Sequence, residues 1–589
     1  MNPLIEQGIS RVQGLNPWHK ALGAVLAVLL LILAVRAADD YRWSDWGFGD
    51  AQTMLSLRQW EEGGWFANYL LFKPQGYAKV VDRFDEPELR HHAHGTCPGS
   101  SPRVGPRLLY THYPAGYLVP YAVLFKLGLD GLFPVRMLSV LFSASALLLM
   151  YLVFAKVTSP RVAFVSVLFY AFTPAFLGYA DSLANQPVDD LLRFGFMYAV
   201  VMAGRSGGPE QRRWTIAAWV LEFLLSLTSF DSVFFVYAWL IGWDLLEKRG
   251  FRWRTYLLFA LAPVTAHGLQ FLQNVWYLGW TDAVIDIKDA FLLKHGADTG
   301  YNVGQGRLGV ILASVAAVFQ NLTSPGWLLF LLLGLFLLYR RFLGGQGSDL
   351  PSAALLAVLF LCGLAFILIL PHAARMPYEA RQMAPFAGLI VSGFSWSFLD
   401  TFRASLHGRR EPAEGEAPPA APRFAAGYLV LSAVLLVVFW FSFALQGRGS
   451  VYDITRIMPE VRFAEALRTM PTKHEPVFFD IGGFQTFWDP VYVPGYPQIM
   501  PITEYYTGSR PVLCFNEAKG IADDLAALVR TGGTRFSPVL IAADGEGIRV
   551  TVELLQSNGV ITGWPQASYR VMERYVVDLT DQVQWGDVP

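Results

Sequence analysis

The sequence predicts a polytopic α-helical membrane protein of about eleven spans, followed by an α/β domain on the extracytoplasmic side. Three observations predict it. Of 589 residues, 53% are hydrophobic and only 16% are charged, too little charge to cover a soluble surface of that size. Apolar runs approaching bilayer length, about 17–25 residues, recur along the first three quarters of the chain, with Lys and Arg gathered in alternate connections. After residue 446 the long apolar runs stop, and short strand and helix patterns alternate instead. A formal net charge of −1 leaves no basic excess for tracking a phosphate backbone, so no nucleic-acid partner is expected.

In order, the first span covers residues 18–37 and leaves the cytoplasm if Arg11 and Lys20 stay inside. RAADD after it is a poor cleavage site, so this segment reads as a retained anchor. An outer segment, 38–133, follows, with a helix over 50–63 and a short Pro-broken interfacial helix over 113–129. Spans two (134–155) and three (161–179) flank a basic turn at Lys156 and Arg161. A second outer loop, 179–190, holds Asp181, Asp189 and Asp190. Spans four (191–203), five (214–229), six (232–246) and seven (256–272) lead to an outer segment, 273–325, with two amphipathic helices around 282–295 and 308–321. Spans eight (327–339), nine (353–370) and ten (384–399) follow, with outer loop 371–383 between the last two. The linker 401–423 is rich in Pro, Ala and Glu and reads as disordered. Span eleven (424–445) closes the transmembrane module, 1–445, and residues 446–589 form the outer domain. Within that domain 460–469 and 522–530 read as helices, and PVFFDI, PVLIAAD and YRVMERYVVDL as strands.

Three acidic or basic clusters stand on the outer side of this topology: Asp39 to Asp50, Asp181 to Asp190, and His372 to Arg381. Carboxylates at a membrane boundary are costly to desolvate and mark candidate sites. Acids on two separate loops suit a divalent cation, Mg or Mn, because hard cations want several oxygen ligands. Arg375 and Arg381 suit a phosphate, whose oxygens a guanidinium meets in planar, bidentate fashion. An acid to take a hydroxyl proton and cations to hold a phosphate leaving group make up the minimum kit for sugar transfer from a lipid-phosphate-linked donor.

The order of these elements resembles the GT-C membrane glycosyltransferases, which include protein O-mannosyltransferases, the aminoarabinose transferase of lipid A and the oligosaccharyltransferase catalytic subunit. The local match is FGDAQTMLSLRQWEEGGWF; its register implies that Asp50 is the catalytic carboxylate. Many bacterial members have Asp-Glu there, and this chain has Asp50 followed by Ala51. THYPAGYLVPYAVLFKLG is similar to the family's Pro-containing segment before its second span. TPAFLGYADSLANQPVDD resembles the second outer loop, whose acid assists the metal or the acceptor; Asp189 or Asp190 fits best and Asp181 less well, with Asp40 and Asp45 in the first loop as further candidates. ARMPYEARQMAP resembles the late loop near the lipid phosphate, which implies donor-phosphate roles for Arg375, Tyr378 and Arg381, with His112 beside them. The resemblance implies a hexosyl- or pentosyltransferase of the inner membrane, taking a polyprenyl-phosphate-linked sugar to a lipid, glycan or protein hydroxyl at a periplasmic site.

Plainer readings stand beside these. Asp50, Asp189 and Asp190 each sit where an N-cap is favoured, and the arginines suit interfacial anchors. A transporter or flippase for lipid-linked sugars would use the same acids as a polar pathway, though the chain has no internal repeat of the kind many transporters show. A scaffold whose outer domain binds a partner is the third alternative. His91, His92, His94 and Cys97 offer zinc-ligand types at irregular spacing. Cys97 and Cys514 would pair only if both lie outside, and Cys362 falls within a span. Asn321-Leu322-Thr323 matches a glycosylation acceptor by chance.

Overall fold

The computed structural model describes residues 16–40, 47–71, 111, 113–281, 283–285, 287–288, 306–342, 349–371, 373–407, 422–453, 459–481, 498–499, 501–508, 510, 512–515, 518–530, 535–565, 568–571 and 574–585. Asp45, His112, Cys97 and the histidines at 91, 92 and 94 lie outside this set. The chain divides into two compact units. The first comprises Met1–Asp39, Arg136–Gly268 and Lys294–Thr455, and the second Asp40–Val135, Leu269–Leu293 and Arg456–Pro589.

In chain order the first helices are α1 (Pro17–Ala37), α2 (Gly47–Gly63), α3 (Leu118–Lys126), α4 (Leu132–Val157), α5 (Pro160–Ala171) and α6 (Pro174–Leu177). Then come α7 (Gln186–Arg205), α8 (Gly208–Ser226), α9 (Asp231–Leu246), α10 (Trp253–Leu278) and α11 (Arg307–Leu322). The run ends with α12 (Leu328–Phe342), α13 (Ala353–Ile369), α14 (Ala384–His407) and α15 (Pro422–Asp453). Their starts follow local chemistry: Asn16 accepts from the Trp18 N–H at 3.0 Å with Pro17 opening α1, and Ser352 accepts from the Leu355 N–H to cap α13.

Among the described residues four helices are long and apolar enough to cross a membrane: α1, α4, α10 and, within α15, Ala426–Gln446. Three shorter apolar helices are α5, α11 and α13. The expected third span, 161–179, is broken. Its helix stops at Ala171, because Pro174 has no N–H to continue the ladder, and the one-turn α6 follows. The last apolar helix runs on past the expected boundary at 445 to Asp453.

Helices α5 and α14 approach closely where Gly388 leaves room. The Ser166 hydroxyl donates to the Gly388 carbonyl at 3.0 Å, and a Cβ on Gly388 would itself lie 3.0 Å from the Ser166 carbonyl oxygen. This contact ties the helix that follows the loop at 371–383 to the helix that carries Tyr170.

In the second unit α16 (Pro459–Arg468) precedes a six-stranded sheet. Its strands are β1 (Pro476–Ile481), β2 (Gln498–Ile499), β3 (Val512–Phe515), β4 (Ser537–Ala542), β5 (Ser568–Val571) and β6 (Arg574–Asp578), in the order β2-β3-β1-β4-β6-β5. Helix α17 (Pro501–Tyr506) lies between β2 and β3, α18 (Ala518–Arg530) between β3 and β4, and α19 (Gly545–Ser557) after β4. Strand β1 pairs in parallel with β3 and β4, while β6 runs antiparallel to β4 and β5. Period-2 alternation gives the sheet two apolar faces. Val477, Phe479 and Leu540 pack with α18 and α19, and Phe478, Val539 and Ile541 pack with Phe463 and Leu467 of α16.

The tail read as one strand, YRVMERYVVDL, is a hairpin of β5 and β6. Helix α19 has no counterpart in the sequence reading, because Val550, Thr551 and Val552 mask its helical period; Asp544 caps it, accepting from Gly547 N–H at 2.8 Å. One ionic pair is buried against this sheet. Arg574 donates to Asp480, and burial pushes the Asp480 carboxyl up to about 7, against the pull of that guanidinium.

Candidate active site

In the first unit the loop at 371–383 meets the start of α7. Met376 and Pro377 turn the chain into a 3-10 helix, Pro377–Gln382, which delivers Glu379, Arg381 and Gln382 to the interior. Arg381 is 1% exposed, with Nη1 2.8 Å from Asp189 Oδ2 and 3.6 Å from Asp190 Oδ1. Its Nη2 stands 3.7 Å from Glu379 Oε1, and Nη1 also donates to the Gln186 carbonyl at 3.1 Å. Neither Nε nor Nη2 of Arg381 has a hydrogen-bond partner.

Around this centre Arg193, one turn along α7, donates to Asp190 and to Gln382 Oε1, both at 2.6 Å. Gln382 donates to Ser232 Oγ at 2.9 Å, and Ser232 donates to Asp189 at 2.6 Å. The Tyr170 hydroxyl donates to Asp190. Asp190 and Arg381 line a recess with Ser143, Phe176, Tyr179 and Gln186.

Among the described residues, Asp189, Asp190, Asp231 and Glu379 share this interior with the two arginines Arg193 and Arg381, so the charges do not cancel. Burial pushes the Glu379 carboxyl up to about 8 against the pull of Arg381, and burial also raises Asp189 against Arg381 and Arg193. Because the folded chain binds the Glu379 proton more tightly than an ordinary carboxyl does, the stabilisation from that group is full below about 4.5 and is lost as pH climbs through about 8. Thermal unfolding of the detergent-solubilised protein should therefore come at falling temperatures across that window. Glu379→Gln, which keeps a neutral amide, should flatten the fall; an identical slope in both proteins would contradict the protonated assignment.

Asp181 sits apart from these acids as a structural hub. It is 0% exposed and accepts hydrogen bonds from Arg36 of α1 and Arg136 of α4. Arg36 also donates to the Leu177 carbonyl at 2.8 Å, and Arg136 to the Asp39 carbonyl at 3.1 Å. Burial alone would raise the Asp181 carboxyl, but the two guanidiniums outweigh it and hold it below the usual range. This arrangement staples the second loop to α1 and α4. Removing one partner of a buried ionic cluster costs about 3–5 kcal/mol. Asp181→Ala should accordingly lower thermal stability sharply in detergent, and Asp181→Asn less so; equal stability of Asp181→Ala and wild type would contradict the hub.

Arg375 does not join the acids. Its Nε lies 3.2 Å from Ser314 Oγ and its Nη2 3.4 Å from the Val310 carbonyl, both on α11. Tyr378 packs edge-on to Tyr179, with ring centroids 5.6 Å apart.

In the second unit Asp50 lies in the first turn of α2 and is 0% exposed. Tyr117, at the entry to α3, is its neighbour. Burial raises the Tyr117 phenol above the usual range, a hydrogen bond with Thr53 pulls it down, and the Asp50 charge raises it further. Asp40 is exposed, and its carbonyl accepts from the Tyr506 hydroxyl. Sequence reading did not single out Arg36, Arg136, Arg193, Glu379, Ser232, Tyr170 or Tyr117. A signal was present for the three arginines of the first unit: each lies in or beside an apolar helix, where a cation needs a buried partner.

The sequence expectation of a divalent cation can be tested on the donor set. Among the described residues no group of three or more His, Cys, Asp or Glu is placed to hold a metal. Both oxygens of Asp190 are engaged by Arg193, Arg381 and Tyr170, and Oδ2 of Asp189 by Arg381 and Ser232, while Asp189 Oδ1 makes no hydrogen bond; a cation at these acids would also meet repulsion from the two guanidiniums. With Arg381 and Arg193 in place, Asp189 and Asp190 by themselves do not make a set of oxygen ligands for Mg or Mn.

The fold these elements define is that of the GT-C membrane glycosyltransferases, as the sequence resemblance implied. The match in particular is to ArnT from Cupriavidus metallidurans bound to undecaprenyl phosphate, over 95% of this chain and 98% of that one, with a TM-score of 0.54 at 12% identity. The apo state of the same protein gives 0.53 at 14% identity over the same shares. The Archaeoglobus fulgidus oligosaccharyltransferase tethered with an acceptor peptide is more distant, with a TM-score of 0.48 at 13% identity, over 96% of this chain and 74% of that one. At such identities the likeness is one of fold. No protein-family model matches the sequence, and no curated protein is similar to it in sequence.

Proposed function

We propose that the protein is a membrane glycosyltransferase that moves a sugar from a polyprenyl-phosphate-linked donor to a hydroxyl acceptor on a lipid, glycan or protein. The observation that carries the reading is Arg381: a fully buried guanidinium with two nitrogens that make no hydrogen bond, beside a recess, in a fold similar to that of a protein bound to undecaprenyl phosphate. Two parallel N–H donors suit a phosphate. Arg381 is the donor-phosphate ligand in this reading; Asp189, Asp190 and Arg193 hold its guanidinium in orientation, and Tyr378, Arg375 and His112 are secondary candidates. Asp50 accepts the proton of the incoming hydroxyl or orients it, with Asp40, Asp45 and Asp181 as the remaining acids of the outer loops. Positioning and neutralisation of the departing phosphate lower the barrier. No step is routed through Mg or Mn.

The same reading makes residues 1–445 a multi-pass module of about eleven spans in the inner membrane. Its outer loops are 38–133, 179–190, 273–325 and 371–383, and 446–589 lies outside. The test is incubation of purified protein with a panel of polyprenyl-phosphate sugars and membrane extract, with products identified by mass spectrometry. A new glycosylated product supports the proposal. Transbilayer movement of intact lipid-linked sugar without any product would replace it with the flippase reading.

A further inference from the structure

Helix α2, which carries Asp50 in its first turn, is enclosed on all sides over its middle. Residues 53–57 are buried without a break, and five consecutive positions at about 100° each sweep more than a full turn. A helix so enclosed needs covers on more than one side. Within the second unit α3 supplies one, and α17, from the C-terminal domain, supplies another.

The contacts of α17 fall on both sides of Asp50 in sequence. Before it, the Tyr506 hydroxyl donates to the Asp40 carbonyl, and Tyr506 is only 9% exposed. After it, the Arg58 guanidinium carbon stands 4.4 Å over the centre of the Tyr505 ring. The two tyrosine rings meet edge to face at 5.2 Å, so the anchors brace one another. Arg58 is carried on α2 and its charge rests on an aromatic face of α17, an arrangement that fixes helix rotation as well as distance.

We infer that the C-terminal domain is part of the catalytic apparatus, and that Tyr505, Tyr506 and Arg58 are positioning residues that hold α2, and with it Asp50, in its working orientation. The inference rests on the proposed role of Asp50. It also gives a reason for a C-terminal domain joined almost 400 residues downstream of the helix it covers: the sheet domain carries α17 to α2 as a rigid clamp.

The experiment has two arms. Hydrogen exchange of full-length protein in detergent reads the clamp without any chemistry. Tyr506→Phe, which loses only the hydroxyl, combined with Arg58→Gln, should speed exchange of the amides of residues 47–63 by tenfold or more, while residues 186–205 and 545–557 exchange as in wild type. Sugar transfer reads the consequence: kcat should fall about tenfold with the donor KM unchanged, and Arg58→Lys should recover most of what Arg58→Gln loses, since it restores the cation over the ring. Unchanged exchange over 47–63 would overturn the clamp whatever the activity. Faster exchange with unchanged kcat would overturn its catalytic purpose. If wild type transfers no sugar from any donor, the proposed function fails, and the exchange arm still decides the clamp.

Discussion

Asp50→Asn abolishes sugar transfer while leaving membrane insertion, solubilised yield and thermal stability close to wild type. The asparagine is isosteric, and the position lies inside the first turn of α2 rather than at its N-cap, so the helix start survives. What it loses is the ability to take a proton. A positioned general base contributes typically about 10²–10⁴-fold, so kcat should fall by at least that lower bound. Donor binding should change little, because the donor-phosphate role is assigned to Arg381. The comparison that isolates chemistry from folding is kcat against KM in wild type and Asp50→Asn, with Asp50→Glu as a second variant in which a displaced carboxylate retains part of the rate. Near-normal turnover by Asp50→Asn would remove Asp50 from the chemistry.

Arg381→Gln raises the donor KM far more than it lowers the stability of the remaining fold. A hydrogen bond to a charged group is worth about 1.5–3 kcal/mol, so each one removed weakens affinity by about 10- to 100-fold. Arg381→Lys should rescue only partly, since an ammonium cannot reproduce two parallel donors. Removing the guanidinium also leaves Asp189 and Glu379 without their cation, and uptake of a proton by these acids offsets part of that cost. The measurement is binding of polyprenyl phosphate to the purified variants at several pH values. Equal affinity of wild type and Arg381→Gln would remove Arg381 from the phosphate site.

The parts of this molecule that could be read from its sequence are those set by local pattern. Apolar runs locate the helices, PVFFDI and PVLIAAD locate β1 and β4, and the helix expected over 50–63 begins three residues earlier, at Gly47. Local pattern failed where a neighbour far along the chain decides the outcome. Nothing near Asp181 in sequence announces Arg36 or Arg136, 145 and 45 residues away, so a structural hub read as a candidate ligand. Arg375 and Arg381 look alike in ARMPYEARQ, yet one binds α11 and the other enters the acidic interior, because the 3-10 turn between them rotates their side chains apart. Asp189 and Asp190 are legible as a pair, while the guanidiniums of Arg193 and Arg381 paired with them are not.

The central claim is tested most directly by following both halves of the donor in one experiment. Purified protein in liposomes is given a polyprenyl-phosphate sugar labelled in the sugar and an acceptor-containing membrane extract. Labelled product and free polyprenyl phosphate are then counted together. The account predicts that the two appear in equal amounts, at a rate that collapses in Asp50→Asn. Intact donor appearing on the opposite leaflet, with no free polyprenyl phosphate and no difference between wild type and Asp50→Asn, would contradict it.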